Sequence, residues 1–206
     1  MTLIPLAPPP GAGGFRARAL DAAYARARAT LIPRFDHLDS AALLWPLRAA
    51  LCRRRLRIAD IGAGTGRDAA WLTRTGHRVT AVEPVTALCA HPHLAWSPAR
   101  LPHLHGVRGP FDLVLISAVW HHLPTADRAP ALRRLRGLLG PGGQIWISLR
   151  DGPTAPDRPG YGVDPMRLRR QAIGAGLRIT DLMPARAQQA SGARWRWAVL
   201  RTAREF

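Results

Sequence analysis

The sequence has no lysine and no asparagine, two cysteines, and no long apolar run. Each absence excludes something. Without lysine there is no Gly-Lys-Ser/Thr phosphate loop. Cys52 and Cys89 are too few for a disulfide framework and do not stand at metal-ligand spacing, so they read as buried thiols of a reducing compartment. No stretch reaches the ~18 apolar residues of a membrane-spanning helix. Met1 to Gly14 lacks the basic start and apolar core of a secretory signal, so the expected location is cytoplasmic, with no membrane partner. The 206 residues suit one domain, and an apolar content of 47% argues against general disorder.

What the chain has instead is arginine. All thirty basic residues are arginine against thirteen acidic ones, a formal charge of +17. The guanidinium fork suits phosphate, which raises nucleic acid as a partner. Nucleic-acid proteins concentrate such charge in runs, whereas here the longest is Arg53-Arg54-Arg55 and the rest is dispersed. An Ala-, Gly-, Pro- and Arg-rich chain without Lys or Asn also fits the codon bias of a GC-rich genome. Nucleic acid stays open as a partner without being favoured.

Residues 1–14 hold four prolines and three glycines and read as a flexible arm. Phe15 to about Arg55 is Ala-rich and helical in pattern, with Pro33 and Pro46 dividing it. From Leu56 the texture alternates between strand and helix. Strands are expected at Leu56–Ile61, Val79–Glu83, weakly at Leu94–Ser97, then at Phe111–Ser117 and Gln144–Leu149, with a hairpin of Leu177–Met183 and Trp195–Arg201. Helices are expected at Arg67–Thr75, Thr86–Ala90, Ala126–Leu139 and Asp164–Ala175, the last capped by Asp164 with Pro165 at its first position. Such alternation implies one domain over 15–206, in which a helical cap (15–55) precedes an α/β core (56–206) with a doubly wound, mostly parallel sheet and an antiparallel strand from the hairpin. Ligands in such sheets bind at the carboxyl ends of the strands.

The informative segment there is Asp60-Ile61-Gly62-Ala63-Gly64-Thr65-Gly66. Alternate glycines between a strand and a helix let backbone approach a ligand. Glu83, ending the next strand, is placed to accept both hydroxyls of a ribose. A dinucleotide fingerprint needs glycine at the sixth position from Gly62, and that position is Arg67.

Gly-x-Gly-x-Gly with the preceding acid resembles the loop of class I S-adenosylmethionine-dependent methyltransferases. The resemblance extends to Val79–Glu83, to Phe111–Ser117 and to Leu138-Leu139-Gly140-Pro141-Gly142-Gly143, covering about residues 56–150. It implies a Rossmann-like seven-stranded fold, S-adenosyl-L-methionine as cofactor and S-adenosyl-L-homocysteine as product. Carried over, Gly62, Ala63, Gly64 and Gly66 would pass under the methionine and ribose. Asp60 would hold the loop and the amino group, Glu83 the ribose, Pro84 or Val85 would lie beside the adenine, and Ser117 and Ala118 would offer backbone to the methionine amino group. Many members place an acid before a Leu-Pro pair; here Arg100 and Leu101 stand there, and their backbone is the expected substitute.

Trp120-His121-His122 follows the fourth strand on the substrate-facing loop of that family. His121 or His122 is the expected base or substrate orienter, unless it caps the next segment. Tyr24, Arg34, Trp120 and Arg150 are candidate acceptor contacts, and Arg34, Arg100 and Arg150 fall where a pocket is expected, which makes an anionic acceptor worth testing. The pairs His91/His93 and His103/His105 lack carboxylate or cysteine company, so no metal site is expected. The leading expectation is O- or N-methylation of a small molecule. RNA or protein methylation, non-methyl use of the same ligand and a non-catalytic subunit are the alternatives, and monomer and homodimer both remain open.

Overall fold

In the computed structural model, residues 12–185 and 192–203 are described. Seven strands form one sheet in the order β3-β2-β1-β4-β5-β7-β6: β1 Arg57–Ile61, β2 Arg78–Val82, β3 Ala95–Ser97, β4 Phe111–Ile116, β5 Leu139–Asp151, β6 Leu177–Pro184 and β7 Arg194–Thr202. The first five run parallel; β7 is antiparallel to both β5 and β6. The helices are α1 Ala12–Arg26, α2 Arg28–Asp36, α3 Ser40–Leu43, α4 Arg48–Leu51, α5 Arg67–Arg74, α6 Thr125–Arg136 and α7 Pro165–Gly174.

The centre of the sheet is apolar on both faces, as a strand covered twice must be. In β4, Leu113 and Leu115 join Ile58, Leu72, Trp146 and Trp197 on one face, where α3, α4 and α5 pack. Val114 and Ile116 join Leu132, Leu135, Ile145 and Leu200 on the other, where α6 and α7 pack. Leu44, Leu47 and Leu51 of the N-terminal third are thus part of the core layer, whereas α1 and α2 contribute to the cavity described below.

Four expectations are corrected. Helix starts at Ala12, inside the expected arm, because extending a formed helix costs less than nucleating one; residues 1–11 lie outside the described residues. The break between α1 and α2 falls at Ala27, and Pro33 sits within α2. The Gly140-Pro141-Gly142-Gly143 segment belongs to β5 instead of preceding it: pairing passes from Phe111↔Leu139 to Leu113↔Gln144 across a bulge, so the strand bends without ending. Cys52 is exposed and Cys89 half-buried, both free.

Trp120 corrects a site expectation. It has no exposed surface and packs in the core with Ile116, Leu123 and Leu132, so it is a packing residue and not an acceptor contact. Its indole N–H is buried without a partner. Chemical denaturation should therefore show Trp120→Ala losing about 3–5 kcal/mol through the cavity left behind. Trp120→Phe should lose less, since it removes the unpaired N–H and keeps most of the ring.

Candidate active site

The chain leaves β1 at Ile61 and turns through the glycine segment into α5. The N–H groups of Gly62 and Ala63 both donate to the Val82 carbonyl, at 2.7 and 3.0 Å, which ties the loop to the end of β2. Two of the glycines have different reasons to be glycine. Gly62 (φ +74°) is closed by packing, since a Cβ there would lie 2.3 Å from Val119 Cγ2 on the loop after β4. Gly64 (φ +57°) would place a Cβ with nothing within 4 Å, and the residue lines the cavity. Gly66, expected with them, does not line the cavity; it starts α5 and lies against Leu94 and Trp96.

Glu83 stands opposite this loop, buried, its Oε2 accepting from the Gly64 N–H and its Oε1 from the Val85 N–H, both at 2.9 Å. Burial pushes its carboxyl above the ordinary range, while those two N–H groups pull the other way. Asp60, on β1, is buried with Oδ2 unpartnered. Burial above all, then the neighbouring Asp68 and Glu83, hold its carboxyl well above the usual value, against Arg67.

Three contacts bind the N-terminal helices to the loop. Thr65 Oγ1 donates to Asp36 Oδ1 at 2.5 Å, Arg67 Nη1 to the Phe35 carbonyl at 2.9 Å, and Ser40 Oγ to Asp68 Oδ1 at 2.6 Å. Leu20, Leu31, Phe35, Leu38 and Leu43 consequently roof a cavity of about 460 Å³, a size suited to small ligands. Asp60, Gly62, Ala63, Gly64, Glu83 and Pro84 line one end. Arg100 and Leu101 do not line it: the Arg100 guanidinium is drawn to the Asp21 carboxylate of α1, and Leu101 packs against the core.

Tyr24, Ser117, His121, His122 and Arg150 line the cavity as well, as does Arg34. Next to Ser117, Ala118 adopts a left-handed conformation (φ +59°), a strain of about 1–2 kcal/mol. Its N–H donates to the buried Ser148 Oγ at 2.6 Å. His122 Nδ1 lies 3.0 Å from the Pro159 carbonyl, which only accepts, so Nδ1 carries the proton and Nε2 accepts from the Tyr24 hydroxyl at 2.9 Å. Burial pushes the Tyr24 phenol up to about 12 and keeps it a donor. Burial also pushes His122 down, and His121 down to about 2; nearby His122, Arg150 and Arg128 add to the effect at His121. Both rings are neutral.

Sequence reasoning missed Arg158, Thr154 and Trp195 in the wall. Arg158 lies 5.5 Å from the Tyr24 ring centroid and Arg150 5.3 Å from that of Trp195. Trp195 packs edge-on to His121 and also faces the cavity. Nothing in the Pro/Gly-rich segment 152–163 signalled a wall. It becomes one because Arg128, itself buried, donates to the carbonyls of Leu123, Tyr161 and Gly162, and the Tyr161 N–H donates to the His121 carbonyl at 2.6 Å.

The two glycines should separate in thermal unfolding and ligand titration. Gly64→Ala should cost only about 1–2 kcal/mol of backbone strain yet weaken ligand binding, because its Cβ enters the cavity. Gly62→Ala should lose more stability, since Val119 must also move. The histidines predict a pH effect. The folded state holds His121 far below its ordinary 6.5, so the stability gained from the neutral ring is full above pH 6.5 and falls away as pH drops toward about 2. Denaturant titrations across that window should find the acid loss shallower in His121→Gln by up to ~1.4 kcal/mol per pH unit.

Among curated proteins none matches the chain in sequence. Residues 59–147 match the family model described as a methyltransferase domain. Among solved structures, the 1,6-didemethyltoxoflavin-N1-methyltransferase of Burkholderia thailandensis, with bound 1,6-didemethyltoxoflavin and S-adenosylhomocysteine, superposes with a TM-score of 0.76 at 21% identity, over 97% of this chain and 94% of that one. A TehB-like SAM-dependent methyltransferase from Corynebacterium glutamicum gives 0.65 at 22% identity, over 90% and 99%. The glycopeptide N-methyltransferase MtfA gives 0.62 at 16%, over 81% and 91%. At these identities the structural likeness is one of fold. Residues 59–147 thus match a methyltransferase domain, in a chain that has the fold of S-adenosylmethionine-dependent methyltransferases.

Proposed function

We propose that the protein methylates an oxygen or nitrogen of a small-molecule acceptor, using S-adenosyl-L-methionine and leaving S-adenosyl-L-homocysteine. The observation that carries the reading is Glu83, whose carboxylate is fixed at both oxygens by the Gly64 and Val85 N–H groups and lies in the cavity wall beside the open side of Gly64. Each carboxylate oxygen retains a lone pair for a donor, which matches the two hydroxyls of a ribose. The unpartnered Oδ2 of Asp60, also in the wall, fits an ammonium group, and Pro84 and Leu88 offer an apolar surface for a base. When bound, the cofactor supplies an electrophilic methyl group on a sulfonium.

The chain's own residues do the rest by position. Displacement at a methyl carbon gains most from alignment and exclusion of water. The apolar roof of Leu20, Leu31 and Phe35 excludes water, and the Tyr24–His122–Pro159 chain of hydrogen bonds holds the acceptor end in one arrangement. Enclosure between α1, α2 and the 153–158 segment supports a small acceptor over a folded macromolecule.

Isothermal titration with S-adenosyl-L-homocysteine tests the reading. Wild-type protein should bind, and Glu83→Ala should weaken binding by about 10–100-fold through the loss of hydrogen bonds to a charged acceptor. Absence of binding to wild-type protein, or unchanged affinity in Glu83→Ala, would refute it.

A further inference from the structure

We infer that the acceptor presents an oxygen anion, either a carboxylate or an acidic phenol or enol, to Arg150 beside Trp195, and that it attacks as that anion with no base supplied by the protein. This rests on the methyl-transfer reading above and adds the acceptor's chemical class to it.

Arg150 stands near the carboxyl end of β5 in register with Trp195 of β7, its guanidinium over the indole. One of its N–H groups donates to the Pro153 carbonyl, while Nε is buried without a partner. Among the described residues no carboxylate lies within ion-pair distance of it: Asp151 is engaged by Arg194 and Asp157 by Arg158. A buried guanidinium N–H without an acceptor is costly, and the oxygen of a planar anion satisfies it while the ring of that anion lies against the indole.

The groups around this end are Tyr24 from α1, Arg34 from α2, His121 and His122 from the turn after β4, Arg128 from α6, and Asp157 and Arg158 from the following segment. None is disposed to take a proton. Both nitrogens of His122 are committed, to Tyr24 and to Pro159. His121 keeps Nδ1 without a partner, but its ring is packed 4.1 Å from that of His122 and edge-on to Trp195, with Arg150 and Arg128 opposing any charge on it. An acceptor that must first be deprotonated has nowhere to send the proton, whereas an anion needs no such step. The oxygen–carbon bond forms as the sulfur–carbon bond breaks, the sulfonium becomes a thioether, the anion becomes a neutral ester or ether, and no proton is released.

The test uses the full chain saturated with S-adenosyl-L-homocysteine, with benzoate, salicylate and 4-nitrophenolate as probes against benzamide, salicylamide and 4-nitroanisole. Calorimetry should show the anions binding at least about ten-fold more tightly than their neutral partners. Arg150→Gln should abolish that preference while still binding S-adenosyl-L-homocysteine, and Arg150→Lys should restore part of it. With labelled cofactor, the methyl group should appear on oxygen, base-labile from a carboxylate and base-stable from a phenol, and the rate should follow the acceptor's own ionisation. Equal binding of neutral partners, no binding of any anion to the loaded protein, or an unaltered preference in Arg150→Gln would overturn the inference. A protein that does not take up S-adenosyl-L-homocysteine at all would instead fail at the methyl-transfer reading itself.

Discussion

The close approach of two loops at the carboxyl ends of β1 and β4 sets the position of everything functional in this fold. Gly62 and Val119 leave no room for a side chain between them. The order of the sheet reverses between these two strands, with β2 on one side and β5 on the other. A crevice opens where successive crossovers diverge. The glycine loop and Glu83 fall on the β2 side of that line, and the histidine turn, Arg150 and Trp195 on the other. Loss of this contact would move both halves of the site at once.

Around that line the structure uses arginine in a way the overall charge did not suggest. Among the described residues, few of these side chains pair with an acid. Several donate into backbone carbonyls: Arg67, which also pairs with Asp68, into Phe35, Arg128 into Leu123, Tyr161 and Gly162, and Arg134 into His103, Leu104 and Val107. A planar fork with five donors can satisfy carbonyls that no secondary structure pairs, and it does so most strongly where water is excluded. The proline- and glycine-rich segments of this chain have many such carbonyls. Part of the arginine excess is therefore internal scaffolding, and it holds two walls of the cavity in place.

The end of the cavity lined by Tyr24, His121, His122 and Arg150 is cationic without containing a strong base. Tyr24, His121 and His122 each have the uncharged form favoured, chiefly by burial. The carboxylates that line the cavity cluster near the glycine loop, where Glu83 is steadied by N–H donors and Asp60 keeps an unsatisfied oxygen. One cavity therefore has an end that favours hydroxyl and ammonium donors and an end that favours acceptors of hydrogen bonds from arginine. That polarity orients whatever spans it.

Much of this was legible in the sequence, because the signals are local. Apolar runs and glycine punctuation gave the strands and their order along the chain, and the spacing of Gly62, Gly64 and Glu83 pointed to residues that line one end of the cavity. Asp164 before Pro165 marked the start of α7, and its side chain does accept from the Met166 N–H. The exceptions depended on distant partners. Trp120 is a loop residue by sequence and a core residue by packing. Arg100 follows a pattern that implied ligand contact, yet its charge is taken by Asp21 from a helix far away in the chain. Arg158 and Trp195 reach the cavity only because Arg128 pins one segment and the antiparallel β7 carries the other alongside β5. Local conformation follows from nearby residues, through steric limits and hydrogen-bond spacing. Which long side chain faces a cavity, and which is neutralised elsewhere, is decided by the tertiary contacts, because burial and charge pairing act through space and not along the chain.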